Sequence, residues 1–184
     1  MKFSLVILLL VLSHSLYSAS VLSLKGTAFF KGESLKNGST FDDEGTLTTG
    51  ANSYLKISQH GSTIVLGSQS ELLLKKETTE VPSLTKGLMR WVSGTVKKTG
   101  PSVKTANAVM GVRGTDFLVV YNELLGESEI ICFSGAVDFT SGNKSVPVTK
   151  NQWGGVGGRF GTSIGKVLDL PANVINHFDG TLPK

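Results

Sequence analysis

The chain has a single cysteine, Cys132, so it forms no disulfide within itself. Histidine is scarce as well: His14 stands in an N-terminal apolar stretch, which leaves His60 and His177 as candidate general bases. Neither has a nucleophile motif of the G-x-S-x-G kind nearby, so nothing supports a Ser-His-Asp hydrolase. There is no H-x-x-x-H and no C-x-x-C, and the acidic triplet Asp42-Asp43-Glu44 lacks the alternating ligands and closing glutamate of a calcium loop. GTSIGKV (161–167) misses the phosphate-loop spacing by one residue and carries Val167 where a magnesium-binding hydroxyl belongs. Charge is thin, at 17% of residues, and the basic residues are scattered, which excludes the clustered footprint of a nucleic-acid binder. The longest apolar run, Phe3 to Leu12, is about half of what a membrane span needs. Before residue 160 no segment has a helical period. No catalytic residue, metal site or cofactor is therefore expected.

What is present begins with MKFSLVILLLVLSHSLYSAS: a lysine, an apolar run, then small polar residues. That order is the layout of a cleavable signal peptide, expected over 1–20 with the cut after Ala19 or Ser20. The mature chain then suits one domain, a β unit over 21–160 with a tail over 161–184 packed on it. Periplasm or secretion is the expected location, with no membrane span after cleavage.

Short apolar runs alternate with glycine-bearing turns. SVLSLKGTAFF, SYLKISQ, STIVLG, SELLLKK, GLMRWVSGTVKK, TDFLVVY, SEIICF, GAVDFT and SVPVTK all have strand character. Leu55 and Ile57 alternate with Tyr54, Lys56 and Ser58, the mark of one buried and one wet face. KNGS, TTGANS, QHGS and TSGNKS are turns in which glycine or asparagine supplies positive φ. TTGANSYLKI, QHGSTIVLG and SQSELLLK follow one another at roughly ten-residue spacing, which suggests a sandwich, a barrel or a small solenoid. The fold class is all-β. GGVGGRFG (154–161) reads as a flexible segment, and Pro171 opens a short helix that lays Val174, Ile175 and Phe178 on the sheet.

Among the aromatic residues, Trp91 is expected in the core. Trp153, in NQWGG, is the candidate for a partner surface, although packing is the commoner fate of such a ring. Cys132, in EIICF, reads as a small buried core residue. Asn37-Gly38-Ser39 and Asn143-Lys144-Ser145 fit the glycosylation sequon, which matters only in a eukaryotic source.

Four pieces of sequence, taken in order, resemble the FecR domain of bacterial envelope signalling proteins. They are LKGTAFFKGESLKNGSTFDDEGTLTTGANSYLKI; HGSTIVLGSQSELLL, with His60 where an aspartate is usual; VKTANAVMGVRGTDFLVV; and the strand pair around SEIICFSGAVDFT. Val112 to Phe117, V-R-G-T-D-F, is the most distinctive part. The resemblance implies a periplasmic, non-catalytic module with a twisted β-solenoid of short strands, which in signalling relatives relays the state of an outer-membrane receptor to a sigma factor. On this reading no anti-sigma segment is expected before the apolar stretch, and no receptor-facing domain after the FecR unit, so sigma-factor control is not carried over. The expectation is therefore a stand-alone module that binds an envelope protein or polysaccharide, not nucleic acid. A structural protein that assembles through exposed sheet edges is the alternative.

The signature residues Gly111, Val112, Arg113, Gly114, Thr115 and Phe117 raise the question of the arginine. On a flat strand Val109, Gly111, Arg113, Thr115 and Phe117 share one face. A buried guanidinium needs partners: Glu127 or Glu129 on the next strand are expected if a hairpin turns near Asn122–Gly126, while Asp116 points away on a flat strand and is within reach only at a bulge, so Arg113 is read as a structural clamp in preference to a ligand-binding group.

Overall fold

The computed structural model describes residues 18–42, 44–75, 81–93 and 102–183; the side chains of Ser18, Ser102, Val112 and Arg113 lie outside that description. The apolar run of the expected signal peptide, Asp43 and residues 94–98 of the run GLMRWVSGTVKK also lie outside it.

In chain order the strands are β1 (Ser18–Lys25), β2 (Ala28–Phe30), β3 (Glu33–Ser34), β4 (Thr40–Asp42), β5 (Gly45–Thr49), β6 (Tyr54–Gln59), β7 (Ser62–Leu66) and β8 (Glu71–Leu74). After these come β9 (Ser83–Val92), β10 (Ser102–Lys104), β11 (Val109–Asn122), β12 (Glu127–Ser141), β13 (Lys144–Thr149), β14 (Gln152–Val156) and β15 (Leu168–Asp169). One helix, α1 (Ala172–Asp179), closes the described chain, as Pro171 led one to expect.

The sheet has two halves joined by long strands. One half runs β4-β1-β6-β7-β9-β11-β12-β14-β15, and the other runs β3-β2-β5-β8-β9-β10-β11-β12-β13. β9, β11 and β12 pass through both halves, whereas the N-terminal runs break: SVLSLKGTAFF, expected as one strand, is β1 and β2 with Gly26-Thr27 between them. The molecule is mostly β, and part of the sheet closes on itself in a barrel-like arrangement of five strands. This is not clearly the expected solenoid or its alternative, a sandwich, and is nearer to the barrel that the strand spacing also suggested. A solenoid stacks its coils in parallel, and here every ladder among the described residues is antiparallel except the single β9–β10 pair.

The core follows from the alternation. In β6, Leu55 and Ile57 are buried while Tyr54, Lys56 and Ser58 are half-buried. Leu47, Ile64, Leu72, Leu84, Met89, Phe117, Val119, Ile130, Cys132 and Phe139 join them in one main cluster. Each such fully buried side chain contributes about 1.5–3 kcal/mol. Trp91 lies there too, as expected. A second cluster, on the outer face, places Val65, Leu118 and Ile131 beneath Ile175 and Leu182 of the tail, with Phe178 packed against it.

GGVGGRFG is not a flexible segment. Its first three residues end β14, which lies between β12 and β15, and Gly158–Phe160 form a single 3-10 turn. Gly154 and Gly155 are buried, and a Cβ on Gly155 would lie 2.7 Å from the Trp153 ring. Glycine serves close packing at these positions.

Candidate functional site

The signature segment is a bulge. Arg113 pairs with Ala136 and Asp116 with Ser134, so Gly114 and Thr115 together face Gly135 alone. Gly114 adopts φ 58°, the left-handed region that glycine enters at least cost. The next pairs, Asp116 with Ser134 and Phe117 with Cys132, place a compensating extra residue, Phe133, on β12. The bulge resets the phase of β11: Met110 lies in the main core before it, and Phe117, Val119 and Tyr121 lie there after it. The flat strand drawn from the sequence therefore does not hold through the signature. The Thr115 N–H donates to Ser93 Oγ at 2.6 Å, and its carbonyl accepts from Ser93 N–H at 2.9 Å. The side chain of Arg113 lies outside the described residues, and with it the expected clamp.

The buried guanidinium that the structure describes is Arg90. Its side chain is fully buried on β9, between the core residues Met89 and Trp91. Nε and Nη2 donate to the two carboxylate oxygens of Asp116 at 2.8 and 2.7 Å, a bidentate fork. Nη2 also donates to Asp179 Oδ1 at 2.6 Å, and Nη1 donates to the carbonyls of Asp179 and Leu182 at 3.0 and 3.3 Å. The Phe133 ring, on the bulged residue of β12, lies 4.6 Å from the guanidinium carbon. Burial alone would lower the Arg90 pKa; hydrogen bonds and charge from Asp116 and Asp179 outweigh it and hold the group above its ordinary value. The bulge thus turns Asp116 of V-R-G-T-D-F toward the outer face, where it orients the arginine that ties α1 to the sheet.

Glu127 and Glu129, the expected partners of Arg113, are engaged elsewhere. Glu127 Oε1 accepts from the Arg159 N–H at 2.8 Å, and Glu129 accepts from Arg159 Nη2 at 3.2 Å and from Trp153 Nε1 at 3.0 Å. Trp153 is half-buried against the outer cluster and meets Phe160 edge-on at 5.1 Å, with Arg159 over the Phe160 ring. Its ring serves packing first. Below it, the hydroxyls of Thr105 and Ser128 meet at 2.6 Å, Ser128 donates to Asn107, and Asn107 Nδ2 donates to the Gly126 carbonyl at 2.7 Å. This network pins the β11–β12 hairpin, whose tip carries Leu124 at 88% and Leu125 at 55% exposed. Two such leucines side by side on a rigid tip form an apolar contact point.

A repeated corner organises the N-terminal half. GANS (50–53) and GSQS (67–70) lie 17 residues apart and match in detail. Asn52 and Gln69 have φ 53° and 51°. Ser53 Oγ accepts the Thr27 N–H at 2.9 Å, and Ser70 Oγ accepts the Leu88 N–H at 2.9 Å. Gly50 and Gly67 donate to the carbonyls of Thr27 and Leu88, each at 2.9 Å. The partner strands bend at Gly26 and Gly87, where a Cβ would fall 2.2 Å and 2.4 Å from those serine oxygens. The roughly ten-residue strand rhythm expected from the sequence holds, since β5, β6, β7 and β8 start at 45, 54, 62 and 71; the matched corners recur over two such steps, and the signal that would have found them is G-x-x-S.

Arrangements for chemistry are sparse. No group of three His, Cys, Asp or Glu residues among those described is placed to hold a metal. His60 sits in a turn at φ 48°, and His177 lies exposed on α1. Cys132 is fully buried; burial pushes its thiol up to about 11, far from a reactive thiolate, as its strand context led one to expect.

No helix among the described residues is long and apolar enough to cross a membrane. No curated protein matches the sequence. Two crystal structures of a candidate anti-sigma factor from Parabacteroides distasonis are similar in fold, with TM-scores of 0.61 and 0.60 at 15% identity. They match over 73% of this chain, which spans 65% and 64% of theirs, just under two thirds. The model of the FecR protein family matches residues 45–138, a segment that contains both repeated corners, Arg90, the signature and Asp116. That is half of the chain, and it includes the most distinctive motif: this chain belongs to the FecR protein family.

Proposed function

We propose that this chain is an exported, non-catalytic module of a bacterial cell envelope that acts by holding a protein partner, as one step of a signal relay. The observation that carries it is the family match over the bulge and clamp, in a family that is regulatory rather than enzymatic. A protein partner is favoured over a polysaccharide because the similar structures come from a candidate anti-sigma factor and because Trp153 is packed rather than presented as a flat platform. Leu124 and Leu125 offer a contact point of the kind a protein takes. Capture from solubilised envelope with the tagged chain should enrich one protein above background, and Leu124→Asp with Leu125→Asp should reduce that enrichment at an unchanged melting temperature. Enrichment equal to that of an unrelated β protein would sink the proposal.

Assembly through sheet edges is the weaker reading. β3, β4 and β15 have two or three residues each, and β13 carries Pro147 between Lys144 and Lys150. Short edges, proline and lysine all oppose edge pairing. Light scattering after size exclusion should give a monomer.

A further inference from the structure

We propose that the outer sheet face around Arg90 is a receptor for a helix C-terminus, that α1 and the residues after it fill it in cis, and that a partner protein displaces them with an amphipathic helix ending in aspartate. This rests on the reading of the chain as a protein-binding module and adds to the hairpin tip a second surface, with its occupant.

The recognition chemistry is specific. Arg90 does not simply neutralise Asp179: it binds that carboxylate and also the main-chain carbonyls of Asp179 and Leu182. Carbonyls left unpaired at a helix end, carrying the negative end of the dipole, are a natural target for a buried cation. Around it, Val65, Leu118 and Ile131 form an apolar floor that receives Ile175 and Leu182. Val65, Arg90, Asp116, Leu118 and Ile131 all lie inside the family-matched residues 45–138, and the cover lies outside them.

The cover is built to come away. α1 has eight residues, too few to hold a helix without the sheet, and Pro171 at its N-cap supplies no side-chain hydrogen bond. The connection from 161 to 171 is exposed at most positions. When α1 leaves, Arg90 keeps both hydrogen bonds to Asp116, so no buried cation is orphaned. Water entering the vacated face can hydrate the three N–H groups that α1 and the residues after it had engaged, two on Nη1 and one on Nη2. A partner helix must compete with a tethered one, so its apparent affinity is reduced by the fraction of time the tail is undocked.

The test uses the full chain and a fluorescent peptide with the sequence of residues 168–183. Anisotropy titration should show at least tenfold tighter binding to the Ile175→Asp chain, whose own tail is released, than to the unmodified chain. A peptide carrying Asp179→Ala should lose about tenfold. Equal affinity for the two chains overturns the proposal, and so does a tail-exchanged dimer in light scattering. Should the Ile175→Asp chain not fold, hydrogen exchange on the unmodified chain decides. The α1 amides should exchange at least a hundredfold faster than those of β11 over Phe117–Tyr121; equal protection, meaning release only by global unfolding, overturns it. Peptide binding tests this surface alone, whereas loss of envelope capture with intact peptide binding counts against the module reading.

Discussion

At the scale of single residues, two arginines divide the question that the sequence posed. V-R-G-T-D-F drew attention to Arg113, and the clamp in the described structure is Arg90, held through the aspartate of the same motif. Arg90→Leu should cost about 3 kcal/mol, the low end for breaking a buried pair, because both carboxylates keep some contact with water. For a chain of this size that lowers Tm by roughly 10 °C. Arg113→Leu, measured beside it by calorimetry, tests the expected clamp role: an unchanged Tm removes that role. Arg90 was legible only as a cation in an apolar strand, GLMRWV, between two inward residues; Asp179, 89 positions away, was not, since spacing says nothing about such a contact. Cys132 was legible throughout. Burial holds its thiol at about 11 in the folded chain, above the ordinary thiol value, so the unfolded chain loses the proton first. The contribution is therefore complete below about pH 9 and declines toward pH 11, by up to about 1.4 kcal/mol per pH unit. Chemical denaturation of the Cys132→Ala chain should show a shallower decline across that window. A thiol reagent at pH 8 should label the native chain only as fast as it unfolds.

At the scale of elements, strand existence could be read from alternation and glycine turns, and the C-terminal helix from Pro171 and its apolar spacing. The breaks could not. Gly26, Gly87 and the two G-x-x-S corners turn strands that alternation alone would run straight through, because period two marks faces and carries no information about bends. A bulge near Asp116 was open from the sequence, but its position and the change of phase it imposes were not, because period two says nothing of where an extra residue enters. Ser53→Ala and Ser70→Ala each leave a strand N–H without its acceptor and should cost about 1–3 kcal/mol, by denaturant titration. The two losses should be similar if the corners are equivalent. Ser70→Ala well below Ser53→Ala would show that the geometric match is not an energetic one.

At the scale of the whole molecule, topology was the least legible part, because pairing among the fifteen strands of the described residues depends on contacts far apart in sequence. The N-terminus ties topology to processing. Ala19 is fully buried, and Ser18, Ala19 and Ser20 make all three pairs that β4 has with β1. A cut after Ser20 would remove every ladder partner that β4 has among the described residues and expose that edge, so the residue at which the folded chain starts fixes how much of the sheet survives. A mature chain starting at Val21 should melt below one that keeps Ser18. The Arg90–Asp179 contact, finally, carries a temporal consequence. A chain made from its N-terminus contains all of β9, β11 and β12 before the aspartate that binds Arg90 has been synthesised. Docking of the tail is thus the late step of a high-contact-order fold, and until it occurs the nascent molecule presents Val65, Leu118 and Ile131 to whatever chaperone meets it.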